Sequence, residues 1–370
     1  MTFTLTINRE RFEAHLAGVL ARHQDSGAEV VPVIKGNGYG FGRTLLAEAV
    51  SNLKLERICV GTIWEAAEAL ENFPGDVIVL EPISAGDELA FVQWQALLSE
   101  HMARLVPVVA SANVVGLADI GVTRIWLEVR TSMHRFGLTV TEAAKIVAAN
   151  TFSILGYSLH LPISQPTLSD SIKFETANQA NHSNKVREVL GLLSWLAEIS
   201  NDGEASFELL LSHLTPAELA TVHRLHPQVK LGIRLGTSLW LGDLNALKVT
   251  GTVLAISELS SDDRVGYTQA SGGKKVAVVS GGTAHGVALA APMTTSSMRK
   301  RGIAIAEGLA MAVGKVRSPF SAAGKNLMFA EPPHMQVSML WVDEAELAVG
   351  DQVVCNVRNT TTTFDAIVWE

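Results

Sequence analysis

AEVVPVIKGNGYGFGR, residues 28–43, decides how the rest of the chain is read. Val30, Val31, Val33 and Ile34 form a short apolar, β-branched run that ends at Lys35 and gives way to alternating glycines. A run this short and apolar predicts a strand buried on both faces. The glycines stop it abruptly and let backbone come close to a ligand. Lys35 then stands at the carboxyl end of a buried strand, either as a salt-bridged lysine or as an amine of depressed pKa, the kind that forms Schiff bases. Two nucleotide readings fail here. A G-x-G-x-x-G motif would need glycine at Phe41 or Arg43, and the chain contains no G-x-x-x-x-G-K-[ST], since SGGKK (271–275) has Lys275 where Ser or Thr is required.

Outward from this stretch, strand signals recur between helical segments: EVVPVIK (29–35), RICVGT (57–62), DVIVLE (76–81), RLVPVV (104–109), RIWLEV (124–129), ILGYSLH (154–160), FELLLS (207–212) and KLGIRLG (230–236). Between them lie segments such as RTLLAEAVSNL, WEAAEALENF, ANVVGLADIG and NKVREVLGLLSWLAEIS, several opening at a capping residue, Ser111, Thr139 or Thr215. Eight strands alternating with helices predict a TIM-like (β/α)8 barrel; the same pattern fits an open doubly wound sheet, and the count favours closure. The polar stretch 162–183 reads as a long loop after the sixth strand, either beside an active site or a solvated insertion. From about residue 243, strand signals follow one another with turns between, as in LKVTGTVLAIS, KKVAVVSG and DQVVCNVR. The expected division is therefore a barrel over 1–242 and an all-β domain over 243–370, with the early TFTLTIN able to join either.

The 370 residues, 48% hydrophobic and 18% charged, allow a large core and argue against disorder. A net charge of −8 without basic blocks argues against nucleic acid and anionic membrane as partners. Cys59 and Cys355 both sit in apolar runs and are expected as buried thiols of a reducing compartment. No metal ligands are assigned. MTFTLTINRERFEAHL carries charges early and lacks the apolar core of a signal peptide, and no apolar run approaches the ~18 residues of a membrane span, so a cytoplasmic protein is expected.

In a (β/α)8 barrel, reacting groups gather at the carboxyl ends of the strands, and a phosphate often lies after strands 7 and 8. That rule selects Lys35 and Tyr39, then Glu128 with Arg135, His160, Ser212, and Arg234 with Gly236 and Thr237. Each has an ordinary structural reading, as a hydrogen-bonded histidine, a salt-bridge arginine or an N-cap serine. Together they suggest a phosphorylated cofactor whose aldehyde condenses with the lysine, pyridoxal 5′-phosphate.

At this point the chain resembles the alanine racemase family of pyridoxal-phosphate enzymes, from about residue 5 to the C-terminus. VIKGNGYGFG resembles the family's lysine motif, which implies that Lys35 carries the cofactor and that Tyr39 lies near the phosphate. LEVRTSMHRFGL (127–138) implies Arg135 as the arginine that reaches the substrate carboxylate. GYSLH (156–160) implies His160 against the cofactor ring, and IRLGTSLWLG (233–242) implies Arg234 at the pyridine nitrogen with Gly236 and Thr237 at the phosphate. RVGYTQA (264–270) resembles the motif of the second catalytic base, Tyr267, and HMQVSM (334–339) the segment whose methionine, Met335, lies at the substrate entrance. The resemblance implies racemisation of a small amino acid by two bases on opposite faces, Lys35 and Tyr267, in a head-to-tail homodimer with shared active sites.

The sequence departs from the family pattern in places. Glu128 stands where the family carries a carbamylated lysine, and is expected to orient Arg135. Thr283, His285, Gln336 and Phe364 replace family tyrosines and aspartates, and the phosphate-binding serine is matched only loosely by Ser212 or Thr215. The pocket wall is thus altered, and a racemase of serine or another small amino acid is an alternative. Two further readings are a decarboxylase of basic amino acids on the same architecture, for which Cys355 lacks the usual acidic loop, and a non-catalytic pyridoxal-phosphate-binding protein, which would not need Tyr267 on a β domain.

Overall fold

In the computed structural model, which describes residues 2–166, 181–199, 207–267, 269–270, 274–289, 302–303, 308, 316–343 and 345–370, the apolar runs between residues 28 and 236 become eight parallel strands. They are β2 (Ala28–Pro32), β3 (Arg57–Val60), β4 (Asp76–Val79), β5 (Leu105–Val109), β6 (Arg124–Val129), β7 (Ser153–Leu159), β8 (Glu208–Ser212) and β9 (Lys230–Leu235), following a short β1 (Phe3–Ile7) at the start of the chain. Between them run α1 (Arg9–Asp25), α2 (Arg43–Asn52), α3 (Ile63–Asn72), α4 (Glu88–His101), α5 (Val140–Ala149), α6 (Asn184–Ile199) and α7 (Pro216–Leu225), with the one-turn α8 (Thr237–Trp240) after β9. The strand order β2-β9-β8-β7-β6-β5-β4-β3 brings first and last together, so the sheet curls into a near-closed TIM-like barrel.

Thr139 and Thr215 cap α5 and α7 as expected, each in a reciprocal capping box with the glutamate three residues on, Glu142 and Glu218. The segment 112–121 does not form the expected helix. It turns repeatedly, with Gly116 and Gly121 at positive φ, and Ser111 accepts from the Asn113 N–H instead of opening a helix. The long loop predicted over 162–183 lies largely outside the described residues.

The chain divides into two compact units: Ala14–Gly38 with Gly42–Gly242, and Met1–Glu13 with Tyr39–Phe41 and Asp243–Glu370. In the second, β10 (Leu247–Glu258), β13 (Lys275–Ser280), β14 (Arg317–Ala322), β15 (Lys325–Phe329), β16 (Val337–Trp341), β17 (Gln352–Cys355) and β18 (Ala366–Trp369) join β1 in an eight-stranded sheet, beside a small ladder of β11 (Arg264–Val265) and β12 (Gln269–Ala270). A further pairing of β13 with β10 closes this sheet on itself. TFTLTIN, which alternates and could have joined either domain, pairs with β10 and β18 in this sheet, burying Phe3, Leu5 and Ile7. β14 escapes the sequence reading because Pro319 interrupts its strand signal. Both cysteines are free and buried, and burial pushes the Cys59 thiol up to about 12. Among the described residues no helix is long and apolar enough to cross a membrane.

The barrel interior is layered. Val31, Val33, Cys59, Ile78, Val106, Val108, Trp126 and Leu210 form an apolar plug. At the amino-terminal ends of the strands, Arg57 of β3 reaches Glu29 of β2 at 2.8 Å and Glu208 of β8 at 2.7 Å, and Lys230 of β9 lies 3.3 and 3.4 Å from the same two carboxylates. Burial works against the Arg57 charge, yet Glu208 and Glu29 hold its pKa above the ordinary value. The network ties together the two strands that the backbone ladder leaves apart. Arg57→Met should leave two carboxylates with Lys230 alone and lower unfolding free energy by roughly 2–4 kcal/mol, toward the range for breaking a buried pair. Urea denaturation of parent and variant measures it, and a difference below about 0.5 kcal/mol would show that the network does not hold the seam.

Candidate active site

Above the apolar plug the barrel changes character. Arg234, on β9, and Glu128, on β6, both point into the interior, with side chains 3% and 2% exposed and 3.8 Å apart. Ser158 of β7 donates to Glu128 Oε2 at 3.2 Å. Burial pushes the Glu128 pKa up while Arg234 and then Arg135 pull it back; burial likewise lowers that of Arg234, against Glu128 and Cys59. Nε and Nη2 of Arg234 find no hydrogen-bond partner among the described residues. Two buried guanidinium donors left without an acceptor carry a desolvation cost that an incoming acceptor would relieve. The expected partner of Glu128 was Arg135. The carboxylate instead meets Arg234, because a residue within β6 faces across the barrel, whereas Arg135 lies six residues past the end of the strand in an exposed loop.

Lys35 follows β2 at the barrel mouth. Partial burial lowers its pKa, Arg135 and Arg234 lower it further, and Glu65 and Cys59 act in the opposite direction. His160, immediately after β7, is pushed down to about 3 by burial and by Arg234, Arg135, His213 and Lys35, so its ring is neutral; its Nδ1 has no partner among the described residues. The His213 ring meets it edge-on, 5.4 Å between centroids, and its pKa is lowered too, by burial first and Lys185 next.

The loop carrying Arg135 is pinned at both ends. Arg130 N–H donates to Leu138 O and Leu138 N–H to Glu128 O, at 2.9 and 2.8 Å. The pinch requires Gly137, where a Cβ would lie 2.4 Å from the Arg130 nitrogen. From α6, the fully buried Glu188 accepts from both the N–H and the hydroxyl of Ser132, and Lys185, one turn earlier, donates to Ile163 O at 2.7 Å and His213 O at 2.9 Å. One helix thereby grips the loops after β6, β7 and β8.

The remaining sequence candidates fall elsewhere. The Ser212 hydroxyl lies in the barrel wall, accepting from Leu161 N–H at 3.1 Å and donating to Leu159 O at 3.5 Å, and Thr215 is engaged in its capping box. Gly236 and Thr237 begin the helical turn after β9, a position where backbone N–H groups favour an anion. Tyr39 is buried in the left-handed region, φ 55°, and groups with the β unit. Tyr267 and Met335 also belong to that unit, 84% and 66% exposed, where with Thr283, Glu331 and His334 they line a cavity of about 690 Å³. Glu331 accepts from Tyr267 N–H at 2.9 Å and pairs with His334, whose ring lies 5.2 Å from that of Tyr267.

Sequence reasoning missed Glu65, Ser158, Lys185, Glu188 and His213. His213 was within reach of the strand-end rule, standing next to Ser212. Lys185 and Glu188 left a fainter signal, charges in phase with the apolar stripe of α6.

Lys35 thus stands at the mouth of a parallel barrel with the guanidinium groups of Arg135 and Arg234 acting on its amine. The profile described as "Alanine racemase, N-terminal domain" matches residues 7–198, and the chain belongs to that family. It is 28% identical over 144 residues to an alanine racemase of Campylobacter concisus (strain 13826), 38% of each chain, and 29% identical over 149 residues to an amino-acid racemase of Enterococcus faecalis, 39% of this chain and 20% of that one. The matched stretches thus span well under two thirds of either relative. Among solved structures, the alanine racemase of Bartonella henselae with covalently bound pyridoxal phosphate superposes with a TM-score of 0.66 at 15% identity over the full length of both chains, and that of Clostridium difficile 630 with 0.65 at 14% over 98% of this chain and 88% of that one. At such identities the likeness is one of fold.

The depressed histidine has a consequence for acid stability. An unfolded histidine titrates near 6.5 and folded His160 near 3, so between those values the unfolded chain binds more protons and stability falls as pH drops through that window. His213 contributes with the same sign. His160→Gln should flatten the loss of stability between about pH 7 and pH 4.5, read from urea midpoints of the cofactor-free protein. An unchanged slope would mean that His160 titrates normally.

Proposed function

We propose that this chain is an amino-acid racemase that holds pyridoxal 5′-phosphate on Lys35 and interconverts the enantiomers of a small amino acid, alanine first. The observation that carries the reading is Arg234, buried beside a lysine of lowered pKa with two guanidinium donors unpartnered among the described residues. When bound, the cofactor supplies an electron sink that acidifies the Cα proton of an attached amine.

Arg234 would hold the ring nitrogen as a charged donor, kept charged by Glu128 beside it, and so would restrain the sink and favour simple proton return over side reactions. Glu128 holds that guanidinium in place and offsets its charge within the barrel. His160, neutral, would pack against the cofactor ring without adding a positive charge beside the lysine. Gly236 and Thr237 would offer backbone N–H groups to the phosphate, with Ser212 bracing the neighbouring strand end. Arg135 takes the substrate carboxylate, and the grip of Glu188 on Ser132 limits where it can reach.

Racemisation removes the Cα proton on one face and returns one on the other, which a single base cannot do. The Lys35 amine, its pKa lowered by partial burial and by Arg135 and Arg234, serves one face. The Tyr267 phenol serves the other, contributed by a second copy of the chain in a head-to-tail homodimer; its 84% exposure leaves it available for that contact. Met335 and Thr283 then border the substrate entrance.

Lys35→Ala should abolish both the visible absorbance that develops when the cofactor is added and all deuterium exchange at Cα of alanine. A band that persists and that borohydride still fixes to the protein would assign the cofactor to another residue.

Tyr267→Phe should bind the cofactor as the parent does but lose racemisation in both directions. Deuterium wash-in at Cα should persist for the enantiomer whose proton faces Lys35 and fall by about 10²–10⁴ for the other. Equal, small losses for both enantiomers would remove Tyr267 from the role of second base.

A further inference from the structure

The barrel has one weak place, between β2 and β3, the two ends of its hydrogen-bonded strand order. Neighbouring strands elsewhere share a ladder. Here the described backbone supplies a single bridge, Val33 with Cys59, through which Ile34 N–H reaches Cys59 O at 2.8 Å. Edge strands left this way present unpaired N–H and C=O groups. Lys35 is the next residue after that bridge, so the functional amine stands where the wall is least closed.

Glu65, in the first turn of α3, spans the gap. Its Oε1 accepts from Gly36 N–H at 3.1 Å, on the β2 side, and its Oε2 from Gly61 N–H at 2.7 Å, on the β3 side. A Cβ at Gly61 would lie 3.0 and 3.1 Å from the two carboxylate oxygens and 3.1 Å from Lys35 Cβ, so the glycine lets carboxylate and lysine pack against the same backbone. The Gly36 carbonyl is taken by Arg43, whose guanidinium also pairs with Glu68, one turn beyond Glu65 on α3. The residue after Lys35 is therefore held at both its N–H and its C=O from α3, directly by Glu65 and through Arg43 by Glu68.

We infer that Glu65 is the positioning residue for Lys35: its carboxylate clasps the β2–β3 seam and sets where the lysine amine stands. The charged and titratable groups that act on that amine are Arg135 after β6, His160 after β7, His213 after β8, Arg234 on β9, Cys59 on β3 and Glu65 on α3, and Glu65 is the carboxylate among them. The clasp thus also keeps a negative charge beside the lysine against two guanidinium groups. The catalytic consequence rests on the reading of Lys35 as the cofactor lysine; the clasp itself does not.

Glu65→Gln keeps the shape but presents one acceptor oxygen, and its NH₂ faces an N–H donor, so one arm of the clasp is lost. In the cofactor-free protein, hydrogen exchange at Gly36 and Gly61 should accelerate about tenfold or more, a change of about 1.4 kcal/mol, while amides of β7 and β8 keep their protection. Coupling of pyridoxal phosphate to Lys35, trapped by borohydride and mapped by peptide, should move to lower pH, because loss of the anion eases deprotonation of the amine. Activity should fall mainly in kcat rather than KM. Glu65→Asp, which retains both oxygens, should recover the amide protection in part and return the coupling profile toward that of the parent. Unchanged exchange at Gly36 and Gly61, or loss of protection throughout the barrel together with an unmoved coupling profile, would overturn the assignment. Should the parent show neither coupling nor racemisation while the two amides still respond to Glu65→Gln, the clasp stands and the proposed activity fails.

Discussion

Placing an arginine and a glutamate inside a barrel of apolar strands is the constraint on which the site depends. Arg234 and Glu128 approach to 3.8 Å with almost no exposure. Moving two charges out of water costs several kcal/mol each, and their attraction offsets this only when the remaining donors and acceptors are also satisfied. Here Ser158 completes part of the carboxylate, but two guanidinium donors have no partner among the described residues. A protein built for stability alone would place apolar side chains at these positions. The proposed cofactor role would give the pair a physical reason, an acceptor supplied by the ligand at a cost in stability of the free protein.

The other polar contacts support that site without entering it. Arg57 and its carboxylates close the barrel at the opposite end, and the apolar plug with Trp126 at its centre separates the two charged layers. Charge at the site is balanced toward the positive: Lys35, Arg135 and Arg234 against Glu128 and Glu65. Burial first and the surplus of cations next lower the pKa of the Lys35 amine and of both histidines, and that surplus suits a ligand with several negative charges. The rim loops that supply Arg135 and His213 gain order from two buried charges on α6, Lys185 and Glu188. A helix outside the barrel thus governs the geometry of groups at its mouth, which links packing of the outer layer to the chemistry of the inner one.

The family resemblance carried by VIKGNGYGFG, LEVRTSMHRFGL and IRLGTSLWLG agrees with the profile match over 7–198, which shows the membership. Glu128 illustrates where such a resemblance stops. Read from motif position, it was matched to Arg135; in the fold it braces Arg234. The substitution of a carboxylate there changes which cation is compensated, a difference that adjacency in sequence does not express.

The strand count, the change from alternating helices and strands to strands alone, and the lysine at the first strand end were legible because they are local. Hydrophobic periodicity, capping threonines and glycine runs act within a few residues of where they are written. The failures were local too: Pro319 hid β14, and ANVVGLADIG carried helix-like periodicity that its glycines broke. What only the tertiary structure decided was partnership across the barrel. Glu65 looks like any of the three acidic residues of α3, and Lys185 and Glu188 like charges on a surface helix, until closure of the sheet brings Gly36 beside Gly61 and folds three rim loops over α6. The sequence by itself determined which residues sit at strand ends, since side-chain pattern and backbone preference are properties of neighbouring positions. Which of them meet is set by sheet order and by the desolvation of charges inside the barrel, quantities that exist only once the chain has closed.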